Sequence, residues 1–237
     1  MSNIINFMAE DKYCYDVAVR PFPASKAIPQ WWKDATPYIR TPDNPDGKKV
    51  IVANLNSNAS FKKCQVMLDT LTSGYIIPLM ADVVVSTTNG FPEINWKIKR
   101  DIFELHNKQE VETPDGYYDQ MFKYLNPWIP QLPRGYSALV VPCFGYPNSP
   151  FRPLSGIVDY DKSMHPLQTP VFVKQGFEGV VEKGTPMAQL IPFKRSDWSS
   201  EFSYLEDGEL ATLMDRNFAS TIVNNYIKNF WQKKTYK

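Results

Sequence analysis

The chain has 237 residues, 43% hydrophobic and 14% aromatic, with 26 Lys and Arg against 25 Asp and Glu. That length supports a sizeable core. A net charge of +1 with both signs interspersed supplies no field for non-specific nucleic-acid binding, so nucleic acid is not an expected partner. From Met1 to Phe7 there is no basic region followed by a long apolar run, which predicts no secretory leader. Nothing later approaches the ~18 consecutive apolar residues of a membrane span, so no membrane partner is expected.

The 20 prolines and the aromatic content favour strands, corners and extended segments over a helical bundle. Residues 1–50 hold Pro21, Pro23, Pro29, Pro37, Pro42 and Pro45, each fixing φ and removing a backbone donor, so regular sheet or a long helix is not expected there. Trp31, Trp32 and Tyr38 offer large apolar area on this arm, either as a platform for a partner or as a satellite core. Short β-rich runs follow at Val50–Ala53, Gly74–Leu79, Asp82–Ser86 and Glu93–Ile98, with the hairpin dipeptide Asn89-Gly90 between the last two. Phe61–Leu71 has an ambiguous period and fits a short helix or an extended edge.

Asp101–Gly116 is polar and ends in the turn sequence Thr113-Pro114-Asp115-Gly116, which predicts an exposed excursion. Leu132-Pro133-Arg134-Gly135 then leads into Tyr136–Val141, a core strand by its apolar run. Beyond Trp198, Leu210, Leu213, Met214, Phe218, Ile222, Tyr226, Ile227, Phe230 and Trp231 recur at three- and four-residue steps. That spacing predicts one amphipathic helix from about Gly208 to Lys234, capped by Asp207, whose apolar face needs a partner.

Chemistry-bearing motifs are sparse. His106 and His165 are the only histidines and neither sits in a ligand motif, so no metal is expected. There is no phosphate-binding Gly-rich loop and no dinucleotide fingerprint, so no cofactor is expected. Cys14, Cys64 and Cys143 are odd in number and far apart, which reads as reduced, buried, inert thiols. Asp159 and Asp161 flank Tyr160; two carboxylates at that spacing can hold a cation or orient a water, and turn aspartates also satisfy local backbone donors. Lys194, Arg195 and Asp197 read as a solvated exit from the sheet or as a meeting point with an acidic partner.

In order, Leu132–Arg195 reads as a Pro-Arg-Gly-Tyr corner, a core strand, Gly156-Ile157-Val158-Asp159 and Gly184-Thr185-Pro186-Met187-Ala188-Gln189-Leu190-Ile191. This order resembles the dUTPase-like β-clip. The resemblance puts Asp159 on the aspartate that orients the attacking water, and a ligand cleft near Gly135, Tyr136, Asp159 and Gln189. The family's phosphate turn is replaced by Cys143-Phe144-Gly145-Tyr146, Lys162 stands where an aromatic stacks on the base, and Gly74-Tyr75-Ile76 lacks the metal-water carboxylate. Hydrolysis of a pyrophosphate needs charge-stabilising groups as well as one carboxylate, so the resemblance implies architecture more than activity. A second set of blocks, Pro23–Lys33, Lys63-Cys64, Thr72–Pro78 and Asn126–Ile129, resembles an uncharacterised protein family of tailed phages of marine bacteria, which implies a phage setting.

The expected fold is therefore mainly β, a dUTPase-like β-clip or β-sandwich with a Pro-rich aromatic arm over residues 1–60, a β domain over 61–198 and a C-terminal amphipathic helix over 199–237. The expected function is a non-catalytic phage virion structural or accessory protein, in the virion or in the cytoplasm of the infected host. It would form a homo-oligomer and meet other virion proteins, gripping neighbours through Trp31, Trp32, Phe230 and Trp231. The alternative is binding or hydrolysis of a nucleotide-like small molecule, with Asp159 as the catalytic candidate.

Overall fold

Short runs rich in β-branched and aromatic residues pair wherever proline leaves the backbone donors in place, and they make this chain mainly β. A computed structural model describes residues 3–52, 55–56, 58–107, 111–213 and 226–237. In chain order the elements begin with β1 (Asn6–Ala9), α1 (Lys12–Val17), β2 (Phe22–Pro23), α2 (Gln30–Asp34), β3 (Ile51–Val52), β4 (Leu55–Asn56) and α3 (Gln65–Thr72). Next come β5 (Tyr75–Pro78), β6 (Val83–Thr88), β7 (Phe91–Trp96), β8 (Phe103–Leu105), β9 (Tyr117–Leu125), β10 (Trp128–Gln131) and β11 (Tyr136–Val141). The last strands are β12 (Phe151–Pro153), β13 (Gly156–Val158), β14 (Gln168–Lys174), β15 (Gly179–Val181) and β16 (Pro186–Lys194).

The chain divides into two compact units, each drawn from separate stretches: Met1–Ala27 with Thr72–Arg195 and Tyr236–Lys237, and Ile28–Leu71 with Ser196–Thr235. In the first unit the strand order is β13-β11-β16-β5-β2 in a five-stranded sheet, β12-β14-β9-β8 in a second and β15-β6-β7 in a third. Every pairing in these sheets is antiparallel. Their inward faces share one core in which Leu79, Val83, Tyr124, Val173 and Leu190 are fully buried. Phe103 stacks on Phe151 at 5.2 Å between ring centroids, an offset arrangement that aromatic rings favour.

Local sequence explains several joints. Asn89 (φ 52°) and Gly90 (φ 80°) both take left-handed backbone, the two-residue turn whose twist matches the β6–β7 hairpin. Gly74 (φ +69°) sits where β5 meets β16, and a Cβ there would lie 2.1 Å from the Leu190 carbonyl oxygen. Only glycine lets the two backbones approach so closely. Asn126 is fully buried and locks its corner: Nδ2 donates to the Tyr124 hydroxyl at 3.1 Å and Oδ1 accepts from Trp128 N–H at 3.0 Å. The Tyr124 hydroxyl donates in turn to the Pro78 carbonyl at 2.7 Å, so no member of this buried chain is stranded.

The structure refines three expectations. The first 50 residues do contain regular pairing, since β1 precedes the first proline and pairs in register with β10, Phe7 opposite Pro130. The ambiguous stretch after Phe61 resolves into a 3₁₀ turn, Phe61–Lys63, followed by α3. The C-terminal helix is present at residues 209–213, and Tyr226–Phe230 forms a π turn closed by Trp231 N–H on the Tyr226 carbonyl at 2.7 Å. The indole N–H of Trp231 and the ammonium of Lys234 both reach Asp69 Oδ2, at 2.8 and 2.6 Å. Met214, Phe218 and Ile222 of the apolar stripe lie outside the described residues.

Candidate functional site

Three strand ends meet at one side of the five-stranded sheet. The pairing of Ala138 with Val158 sets Ser137 beside Asp159, and the pairing of Tyr136 with Lys194 brings Arg195 beside Gly135, whose carbonyl accepts the Arg195 N–H at 2.9 Å. Gly135, Tyr136, Ser137, Asp159, Asp161 and Arg195 thus come together from distant parts of the sequence. Arg195 Nη1 lies 2.9 Å from the Tyr136 carbonyl, 2.9 Å from Ser137 Oγ, 2.9 Å from Asp161 Oδ1 and 3.2 Å from Asp159 Oδ1. Its Nη2 donates to Asp161 Oδ2, completing a two-pronged pair of the kind a planar guanidinium makes with a carboxylate.

The two aspartates have different roles. Asp161 has a side chain only 1% accessible, and its Oδ2 also accepts Gly135 N–H at 2.8 Å. The Arg195 hydrogen bond, and after it the Gly135 donor, holds this carboxyl down at about 2. The same partnership raises Arg195 further above its ordinary value, with the Asp161 bond as the main cause. Asp159 is 52% accessible at its side chain, and its Oδ1 accepts from Ser137 Oγ at 2.6 Å. Its main-chain carbonyl opens the turn that follows, accepting from Lys162 and Ser163 N–H at 3.0 Å each.

Gln189 stands apart. It pairs with Val141, four residues along β11 from Ser137, a separation of about 13 Å at the usual strand rise. It is fully buried, with Oε1 accepting Phe144 N–H at 3.1 Å and Nε2 donating to the Ser73 carbonyl at 2.6 Å. It ties the Cys143–Tyr146 turn to the chain entering β5. Tyr146 anchors the other side of that turn through a hydroxyl bond to the Ala27 carbonyl at 2.5 Å, and burial pushes the Cys143 thiol up to about 12. Cys14 is likewise raised by burial, to about 11. Tyr136 carries a hydroxyl that accepts from Asn3 Nδ2 at 2.7 Å.

Sequence reasoning did not single out Ser137, and it left Arg195 open between a solvated exit and an acidic partner. The partner lies in the same unit, two strand ends away. The repeating pattern of β16 ends at Lys194, and only the β11 pairing register places the next residue over the aspartates.

In the second unit, Trp32 is 4% exposed and packs beneath the Lys62 ammonium, 5.5 Å from the ring centroid. Trp31 meets it edge to face and remains 44% exposed, and Phe230 is 56% exposed. Trp231 is half-buried and held by Asp69. Among the described residues there is no group of three or more His, Cys, Asp or Glu placed to hold a metal ion, and no helix is long and apolar enough to cross a membrane.

No protein-family model and no curated protein matches the chain. Among solved structures it is similar to a mutant dUTPase of Staphylococcus bacteriophage 80alpha with dUpNHpp, at 14% identity and TM-score 0.26, over 46% of this chain and 91% of that one. A mutant dUTPase of S. aureus phage phi11, described with a structural Mg(II) ion, matches at 13% identity and TM-score 0.31, over 67% of this chain and 95% of its own. Another phi11 dUTPase structure, showing a species-specific insert, matches at 12% identity and TM-score 0.25, over 46% and 99%.

Proposed function

We propose that this chain is a non-catalytic phage structural or accessory protein that keeps a β-clip-like arrangement as a scaffold and acts through its surfaces, associating with further copies of itself. The observation that carries this reading is the placement of Arg195. Its guanidinium pairs bidentately with Asp161 and also lies 3.2 Å from Asp159 Oδ1, so the position in front of Asp159 is taken by a protein cation. An aspartate that positions a water for attack on a phosphate needs a free carboxylate facing convergent donors. Here the donors beside Asp159 are Ser137 and Arg195, and both are spent on the aspartates themselves. The turn that would cradle phosphate has its Phe144 N–H bound to Gln189. The antiparallel order β13-β11-β16, with Gly135 at its corner, supports the β-clip-like scaffold. The sequence blocks at Pro23–Lys33 and Thr72–Pro78 support the phage setting.

The test is turnover of dUTP and the other deoxynucleoside triphosphates with Mg²⁺, together with quantitative mass spectrometry of purified particles. No turnover and stoichiometric presence in particles is the expected result. Turnover abolished by Asp159→Asn overturns it. One observation favours a nucleotide-like ligand instead: Asp159 keeps about half of its side chain open to solvent. Saturable nucleotide binding lost in that variant would establish this second reading.

A further inference from the structure

An apolar cleft of about 510 Å³ opens on the outer side of the β15-β6-β7 sheet. Along β6, Val83 and Val85 are buried in the core while Val84 points out, 44% exposed, and its partner on β15, Val180, is 61% exposed. A solvated sheet face ordinarily carries polar residues at such positions. Trp96 and Ile98 extend the apolar lining, and Lys97 and Lys183 place two positive charges on it. The one carboxylate in the lining, Asp82, already accepts the Lys183 backbone N–H at 2.6 Å.

The chain also carries a segment of complementary character. Residues 196–206 form no helix or strand, and Trp198, Phe202 and Tyr204 are 90%, 96% and 83% exposed. In extended backbone these three even-numbered positions share one side, with Asp197 and Glu201 on the other. From Ser196 to Leu213 the sequence contains Asp197, Glu201, Glu206, Asp207 and Glu209 and no Lys or Arg. Exposed aromatics of this density mark interaction surfaces. A cavity of this size is within the range that takes ring-sized groups.

We propose that the acidic, aromatic segment Asp197–Leu205 of one copy docks in the apolar, lysine-bearing cleft of a second copy, with Trp198 and Phe202 as the anchors. This rests on the self-association in the proposed function and supplies its contact. The pairing is head to tail, so copies close into a ring or continue, depending on the rotation between them.

The test is sedimentation velocity on the full chain. Wild type is expected to assemble with increasing concentration. Trp198→Ser with Phe202→Ser, and separately Val84→Glu with Val180→Glu, are each expected to sediment as monomer while keeping the wild-type far-UV spectrum. An equal mixture of the two variants retains one intact segment and one intact cleft, and is expected to recover a dimer. Lys97→Glu, a single exposed position in the cleft lining, is expected to weaken assembly at least tenfold, which keeps the proposal testable if the double valine variant fails to fold. A monomeric wild type, a segment variant that assembles like wild type, or a mixture that stays monomeric overturns the proposal. None of these outcomes bears on catalysis, whereas nucleotide turnover would overturn the proposed function and leave the assembly result standing.

Discussion

Replacing Gln189 with alanine tests whether this residue is a structural tie rather than part of a ligand cleft. The substitution strips the partner from the Phe144 N–H, which Gln189 Oε1 holds at 3.1 Å, and removes the 2.6 Å bond to the Ser73 carbonyl. A partly buried donor left without a partner costs ~1–3 kcal/mol, and loss of the second bond adds ~0.5–1.5 kcal/mol, so a destabilisation of about 1.5–4.5 kcal/mol follows. With a urea m-value of ~2–3 kcal/mol per M for a chain of this size, the unfolding midpoint should fall by roughly 1 M with m unchanged. Gln189→Glu restores an acceptor for Phe144 N–H but removes the donor to Ser73 and buries a charge. It should therefore be at least as destabilising at neutral pH and should recover partly on acidification. Equilibrium urea unfolding followed by fluorescence and by far-UV circular dichroism measures both. A shift below about 0.5 kcal/mol for Gln189→Ala, the range of ordinary surface substitutions, would refute the reasoning and return Gln189 to the list of ligand contacts.

Three further outcomes are expected. Because Asp161 is held at about 2 against an ordinary 3.8, its contribution to stability is complete above pH ~4 and fades as pH falls toward 2. Asp161→Asn should be less stable than wild type at neutral pH, with the gap closing across that window, as read from urea midpoints at stepped pH. Gly74→Ala puts a Cβ 2.1 Å from the Leu190 oxygen at φ +69°, adding left-handed strain of ~1–2 kcal/mol to overpacking of ~1–3 kcal/mol. Gly116→Ala, at φ +79° with no atom within 4 Å of the new Cβ, should cost only the strain of ~1–2 kcal/mol; equal losses for the two would show that the approach to Leu190 is not limiting. Tyr124→Phe removes the hydroxyl that links Pro78 and Asn126 in the core and should cost about 1–3 kcal/mol by thermal or urea unfolding.

The sequence by itself determined those features that depend on neighbours along the chain. The β-rich runs Asp82–Ser86 and Glu93–Ile98, with Asn89-Gly90 between them, marked a hairpin that forms with that turn, because strand composition and turn chemistry are local. Tyr136–Val141 was legible as a core strand for the same reason. The C-terminal stripe marked helix, which is present at residues 209–213, but its period said nothing of the π turn at Tyr226–Phe230 or of Asp69, the distant acceptor of Trp231 and Lys234. Only the tertiary structure decided the candidate site. Gly135, Tyr136, Asp159 and Gln189 were grouped from a resemblance, yet Ser137 is the residue that register puts beside Asp159, and Gln189 lies four residues further along β11, away from the aspartate. Register likewise brings Arg195 onto both aspartates. A guanidinium thirty-odd residues away in sequence leaves no periodic trace. Its effect on a carboxylate falls off with distance in space, and that distance is set by how strands pair.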